Sequence, residues 1–191
     1  MGDLYAIMTA FCWSSAVILF DVSSKTFEPL HLNLIKNLIG VFGFILTLLV
    51  FSIPLPIFKG EDLITLSVSG LLGILIGDLF FLESLRRLGS SLVAVVGTIY
   101  VPSILILSYC MFGEMITIQS YIGAILVIIG ITFSFYKTPK VAQSKQIVYG
   151  VILGFLANLF TAYSVLMVKP IMHNNSVIVV TFYRFGIGLI A

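Results

Sequence analysis

Long apolar runs with almost no charge inside them constrain this chain more than any other feature. A run of about 18 or more such residues suggests a membrane span, and several runs in these 191 residues approach or exceed that length. Only 9% of the residues are charged and the mean hydropathy is +1.18. A soluble domain carries about 25% charged residues to cover its water-facing surface, so a soluble globular fold is excluded. We read seven spans: residues 4–22, 30–51, 63–85, 92–112, 118–136, 147–168 and 176–191. Hydrocarbon offers no partner to bare backbone groups, so the spans must be helical. A β-barrel would need alternating strands of about ten residues, whereas these runs are continuous. The expected fold class is an all-α polytopic membrane helix bundle.

The connections read as short. Pro54, Pro56, Lys59, Glu61 and Asp62 mark one, and Lys137, Pro139, Lys140, Gln143, Ser144 and Lys145 mark another. The latter divides the chain into residues 1–138, a linker at 139–146 and residues 147–191. The last run, at 1.5 Å per residue, reaches about 24 Å, short of a hydrocarbon core of about 30 Å. The expectation is a chain that stops within a span. Met1-Gly2-Asp3 carries no Lys or Arg, so the first run is read as a span and not as a cleaved signal peptide.

A weak internal repeat points the same way. Tyr5 and Phe11 align with Tyr149 and Phe155, and Lys25 falls on Lys169. After a small shift Lys36 falls on Arg184 and Gly40 on Gly188. The unit holds five spans, an odd number, so a second copy enters the membrane from the opposite side. That is the inverted-repeat build of many secondary transporters.

Polar and small residues gather on helical faces. Span 2 carries Asn33, Lys36, Asn37, Gly40, Gly43 and Thr47, and span 6 carries Gly150, Gly154, Asn158 and Thr161. Span 1 carries Ser14, Asp21 and Lys25, span 3 has Gly70, Gly73 and Gly77 beside Asp78, and span 5 has Gly123, Gly130 and Ser134. Close helix packing is the ordinary reading of the glycines. Intramembrane charge says more, because it is expensive and faces a cavity or a partner. Asp78 is therefore a candidate for a substrate or ion path, or bonds to a neighbouring helix. Glu83 stands four residues before Arg87, the spacing of a helical ion pair. Lys36 and Arg184 either line a cavity or reach to the interface, and Asp21 and Lys25 read as interfacial. Trp13, the one tryptophan, lies mid-span, where it packs or stacks on a ligand. Pro102 should kink span 4, with Thr98 and Tyr100 just ahead of it. Glu114 stands before the fifth span, where a carboxylate favours the positive helix end.

The chemistry of other classes is missing. His31 and His173 lie near span ends without ligand companions, and Cys12 and Cys110 sit in apolar runs as small hydrophobes. There is no phosphate loop, nucleophile elbow or zinc spacing, so neither an enzyme nor a cofactor is expected. A net charge of +2 gives no field for nucleic acid.

The stretch 73–94, GILIGDLFFLESLRRLGSSLVA, resembles the EamA-like branch of the drug/metabolite transporter superfamily. Pro102 in mid-span, Gly113-Glu114 at the end of span 4, and Gln119, Gly123 and Gly130 after it are similar to the ending of that family's repeat. Trp13 followed by small polar residues resembles its first span, and Tyr183-Arg184 the start of its seventh. The resemblance implies ten spans in two inverted five-span repeats, of which this chain holds the first and the start of the second. It implies a plasma-membrane permease moving a small metabolite, an amino acid or amphipathic compound, by alternating access, with a coupling ion as a further partner. It implies a central cavity, and by position Trp13, Ser14, Asp78, Thr98, Tyr100 and Asn158 are its lining. Asp78 departs from the apolar or aromatic residues common at its position, and Lys25 matches the family's first-span lysine only loosely. A seven-span receptor or a non-catalytic membrane subunit is the competing reading. Lys25, Arg86, Arg87, Lys137, Lys140 and Lys145 fall on one side and Lys59 and Lys169 on the other, which by the positive-inside rule places the N-terminus outside. The resemblance implies a cytoplasmic N-terminus, so orientation stays open.

Overall fold

The computed structural model describes residues 2–114, 117–136 and 145–191. Lys137, Pro139, Lys140, Gln143 and Ser144, read above as marking a connection, lie outside the described residues. The described residues form helices α1 (Gly2–Ser24), α2 (Pro29–Val50) and α3 (Glu61–Ser69), a π-helical segment (Gly70–Gly77), and α4 (Asp78–Gly97). There follow α5 (Tyr100–Phe112), α6 (Ile118–Tyr136), α7 (Lys145–Met167), the short α8 (Lys169–Asn174) and α9 (Val177–Ile190). The bundle is all-α, and four of its apolar helical stretches are long enough to cross a membrane.

Spans 3 and 4 meet without a loop. The helix that begins at Glu61 continues through the π segment and breaks inside α4 at Gly89, whose φ of 74° and ψ of 167° lie where glycine alone is at ease. Asp21 of α1 reaches across to the break, and its Oδ2 accepts the Ser90 N–H at 3.0 Å. A carboxylate from another helix thus caps the N-terminus of the new segment. Asp21, expected at the interface, joins two spans through this bond, and Lys25 is exposed. A Gly89→Ala change should lower stability by about 1–3 kcal/mol through backbone strain. Thermal unfolding in detergent checks this, and an unchanged midpoint refutes it.

Pairwise contacts give the helix directions. An added Cβ at Gly150 meets Leu88 and one at Gly154 meets Ser84, while Ser69 Oγ donates to the Ser164 carbonyl at 2.6 Å. So α7 runs antiparallel to span 3. Gly154 also meets Val96, so α7 runs parallel to span 4, and the chain turns back at Gly89. Val17 packs with Leu82, and Asp21 reaches the break, so α1 is parallel to span 3. Leu32 belongs to the same buried cluster as Leu82 and Leu85, and Leu48 to the one that holds Leu66, so α2 is antiparallel to it. Val180 packs with Leu66, Gly70 abuts Arg184 and Gly188 abuts Ile74, so α9 is parallel. Hence α7 opposes α1 and α9 opposes α2.

The small-residue faces divide. Gly70, Gly73, Gly77, Gly150, Gly154 and Gly188 all stand where another helix touches. Gly43, Gly123 and Gly130 face open space, so the packing expected of them is not seen. The span 2 stripe drifts for the same reason: Asn33 and Asn37 are buried, whereas Gly43 is exposed and Thr47 Oγ1 bonds back to the Gly43 carbonyl. Six positions from Asn37 to Gly43 turn the face well away from the core at 100° per residue. Ahead of buried Pro102, the N–H groups of Thr98 and Ile99 bond three residues back, which tightens the helix before the missing donor. Glu114 bonds Lys169 and Ser108, tying the end of α5 to α8 instead of serving the next helix alone. The Lys169 ammonium first, then the Ser108 hydroxyl, hold its carboxyl below the usual range.

Candidate functional site

A cavity of about 870 Å³ lies among α1, α4, α5 and α7. Trp13, Ser14, Asp78, Thr98, Tyr100 and Asn158 all line it. These residues come from four stretches of chain far apart in sequence, and the antiparallel return at Gly89 is what brings Asp78 and Thr98 to one space. The polar lining is partly committed. Ser14 Oγ donates to the Ala10 carbonyl at 2.7 Å, Thr98 Oγ1 to Val95 at 2.6 Å, and Asn158 Nδ2 to Gly154 at 2.6 Å. Their oxygens keep lone pairs for a ligand in the cavity. Trp13 meets Phe81 with ring centroids 5.9 Å apart and tilted planes. One wall, Ser90, Ser91, Val93, Ala94 and Gly97, belongs to the segment that starts at the Gly89 break.

The floor carries charge from three helices. Asp78 Oδ2 pairs with the Lys36 ammonium of α2. Lys36 also lies 5.8 Å from the Phe185 ring centre, so it turns into the bundle and does not reach to the interface. Arg184 of α9 is 5% exposed; its Nη2 donates to Ser164 Oγ at 3.0 Å while its Nε has no partner among the described residues. Its electrostatic neighbours are Asp78 and Tyr100. The two residues that the repeat aligned, Lys36 and Arg184, thus flank one carboxylate. Beside them Asn33 Nδ2 donates to the Ile74 carbonyl at 3.2 Å, in the π segment where the regular ladder is lost. Both side-chain polar atoms of Asn37 are buried without a partner among the described residues.

Sequence reasoning did not include Phe81, the 90–97 wall or Thr161 among the lining, although the Thr161 stripe was noted. The expected Glu83–Arg87 pair forms, with Nε to Oε1 at 2.7 Å, and Arg86 joins it at 2.9 Å. It stands outside the cavity. Among the described residues no group of His, Cys, Asp and Glu could hold a metal.

The sequence profile of the EamA-like transporter family matches residues 1–136. A protein of Archaeoglobus fulgidus, named as an uncharacterized transporter, is 23% identical over 152 residues, 80% of this chain and 54% of that relative. The chain therefore spans about half the length of the curated relative it matches. No solved structure matches it.

Proposed function

The chain belongs to the EamA-like transporter family, and we propose that it builds the solute cavity of a secondary transporter in the plasma membrane, one that moves a small amphipathic metabolite by alternating access. The observation that carries this reading is the cavity itself. It combines an aromatic side, Trp13 and Phe81, with hydroxyl, amide and carboxylate groups, the mixture that holds a solute with an apolar body and a polar end. Its wall hangs on a glycine break, and α7 and α9 oppose α1 and α2. Both features suit a bundle in which one half rocks against the other around a midplane site.

The test is to fill the cavity. Ala94 is exposed on the 90–97 wall. Ala94→Trp should lower uptake of labelled amphipathic metabolites, amino acids included, into proteoliposomes at least about tenfold, since the added indole occupies the ligand's space. Folded yield should hold. Undiminished uptake in that variant, or a wild-type protein that moves none of the solutes, would refute the reading.

A further inference from the structure

Building on the cavity reading above, we propose that Asp78 is a proton-operated cover over an anion-binding floor, and that the solute carries an anionic end. Asp78 lines the cavity, whereas Lys36 and Arg184 stand behind it. While its carboxylate is ionised it occupies the field of both cations. When a proton from cavity water binds that carboxylate, both cations are released to an anionic group of the solute.

The charges support this count. The charged groups acting on Asp78 are Lys36 from α2 and Arg184 from α9. Among the described residues the other elements turn no further charge onto it: α7 offers Thr161 and Ser164, α5 the Tyr100 phenol and α1 Trp13 and Ser14, while Asp21 of α1 is taken up by the Ser90 N–H. Glu83 is taken up by Arg86 and Arg87. The floor is therefore net positive by one with Asp78 ionised and by two with it protonated. Such an excess in a low-dielectric interior favours an anion and repels an ammonium. Neither cation depends on Asp78 alone for its position, since Ser164 holds Arg184 and Phe185 faces Lys36. The buried Arg184 Nε, still without an acceptor, is a donor in reserve, and a guanidinium binds carboxylate, sulfonate or phosphate oxygens through charge-assisted bonds. Proton and anion should then bind together, each raising the affinity for the other by the same factor.

The full chain in lipid nanodiscs tests this with three probes that share one body: 3-phenylpropane-1-sulfonate, 3-phenylpropan-1-ol and 3-phenylpropyltrimethylammonium. None titrates between pH 5.5 and 8, so any pH dependence belongs to the protein. Trp13 lines the cavity and is the only tryptophan in the sequence, so its emission reports binding. The sulfonate should bind tightest and gain at least about tenfold in affinity as the pH falls across that range, with proton uptake registered by a dye in weak buffer. Asp78→Asn should bind sulfonate at pH 8 as wild type does at pH 5.5. Arg184→Gln should lose the preference for sulfonate over the alcohol. Sulfonate binding that ignores pH in the wild type, or tightest binding of the cation, overturns the proposal even if neither variant folds. Failure of all three probes to bind overturns the cavity reading, and this proposal with it.

Discussion

Replacing Gly73 with leucine is expected to remove most of the folded protein. Gly73 lies in the π segment where α7 and α9 both close on span 3, and an added Cβ would overlap Ser164 Oγ and lie 3.0 Å from Arg184 Nη2. Ser164 is fully buried and Arg184 nearly so, so neither can swing into free space. Overpacking of this kind costs about 1–3 kcal/mol. Displacing Ser164 also strips the buried guanidinium of its hydroxyl partner, and losing a hydrogen bond to a charged group costs about 1.5–3 kcal/mol more. Monodisperse yield from size-exclusion chromatography should fall at least about tenfold. Gly123→Leu is the matched control, because Gly123 on α6 faces open space, and its yield should stay near wild type. Equal yields for the two variants would show that the glycine contacts between these helices do not limit folding.

The second large effect concerns Asp78. In the intact transporter, Asp78→Asn should lower transport at least about tenfold, and by more than it lowers folded yield. The neutral amide leaves both cations open, so an anionic solute enters but no returning carboxylate expels it. Part of the yield will also fall, because Lys36 and Arg184 lose their counter-charge. The double variant Asp78→Asn with Lys36→Met separates these effects, since it restores the original charge of the floor. Its yield should recover while its transport does not. Wild-type transport in either variant would leave Asp78 with a packing role alone.

The bundle was legible in the sequence because lipid leaves a chain few choices. Apolar length located the helices to within a few residues, and the resemblance centred on Gly73 to Ala94 pointed to the family. The candidate lining came by a different route: the resemblance implied Trp13, Ser14, Asp78, Thr98, Tyr100 and Asn158 by position, and all six border the cavity described above; polarity in hydrocarbon alone singled out Asp78. What escaped depends on backbone geometry that composition does not encode. The π segment reads as an ordinary apolar helix. Gly89 was one of 16 glycines, and only in the fold do its backbone angles, and the bond from the next residue, Ser90, to Asp21, 69 residues earlier, show that the helix breaks there. Phe81 looks like any lipid-facing aromatic until α1 is set beside it. The outward turn of Gly43 follows from the drift of a long stripe, which a pattern of threes and fours conceals.

The cap that Asp21 places on Ser90 also bears on biogenesis. The carboxylate and its amide are 69 residues apart, and a ribosome adding about 5–20 residues per second needs roughly 3–14 seconds to supply the second after the first. Through that interval the first helix holds an acidic side chain near the bilayer edge with its eventual mate still unsynthesised. The segment after Gly89, in turn, begins with bare amides until the earlier helix is within reach. The hairpin of spans 3 and 4 therefore matures against a helix already waiting in the membrane, and the order of synthesis becomes part of how this cavity is assembled.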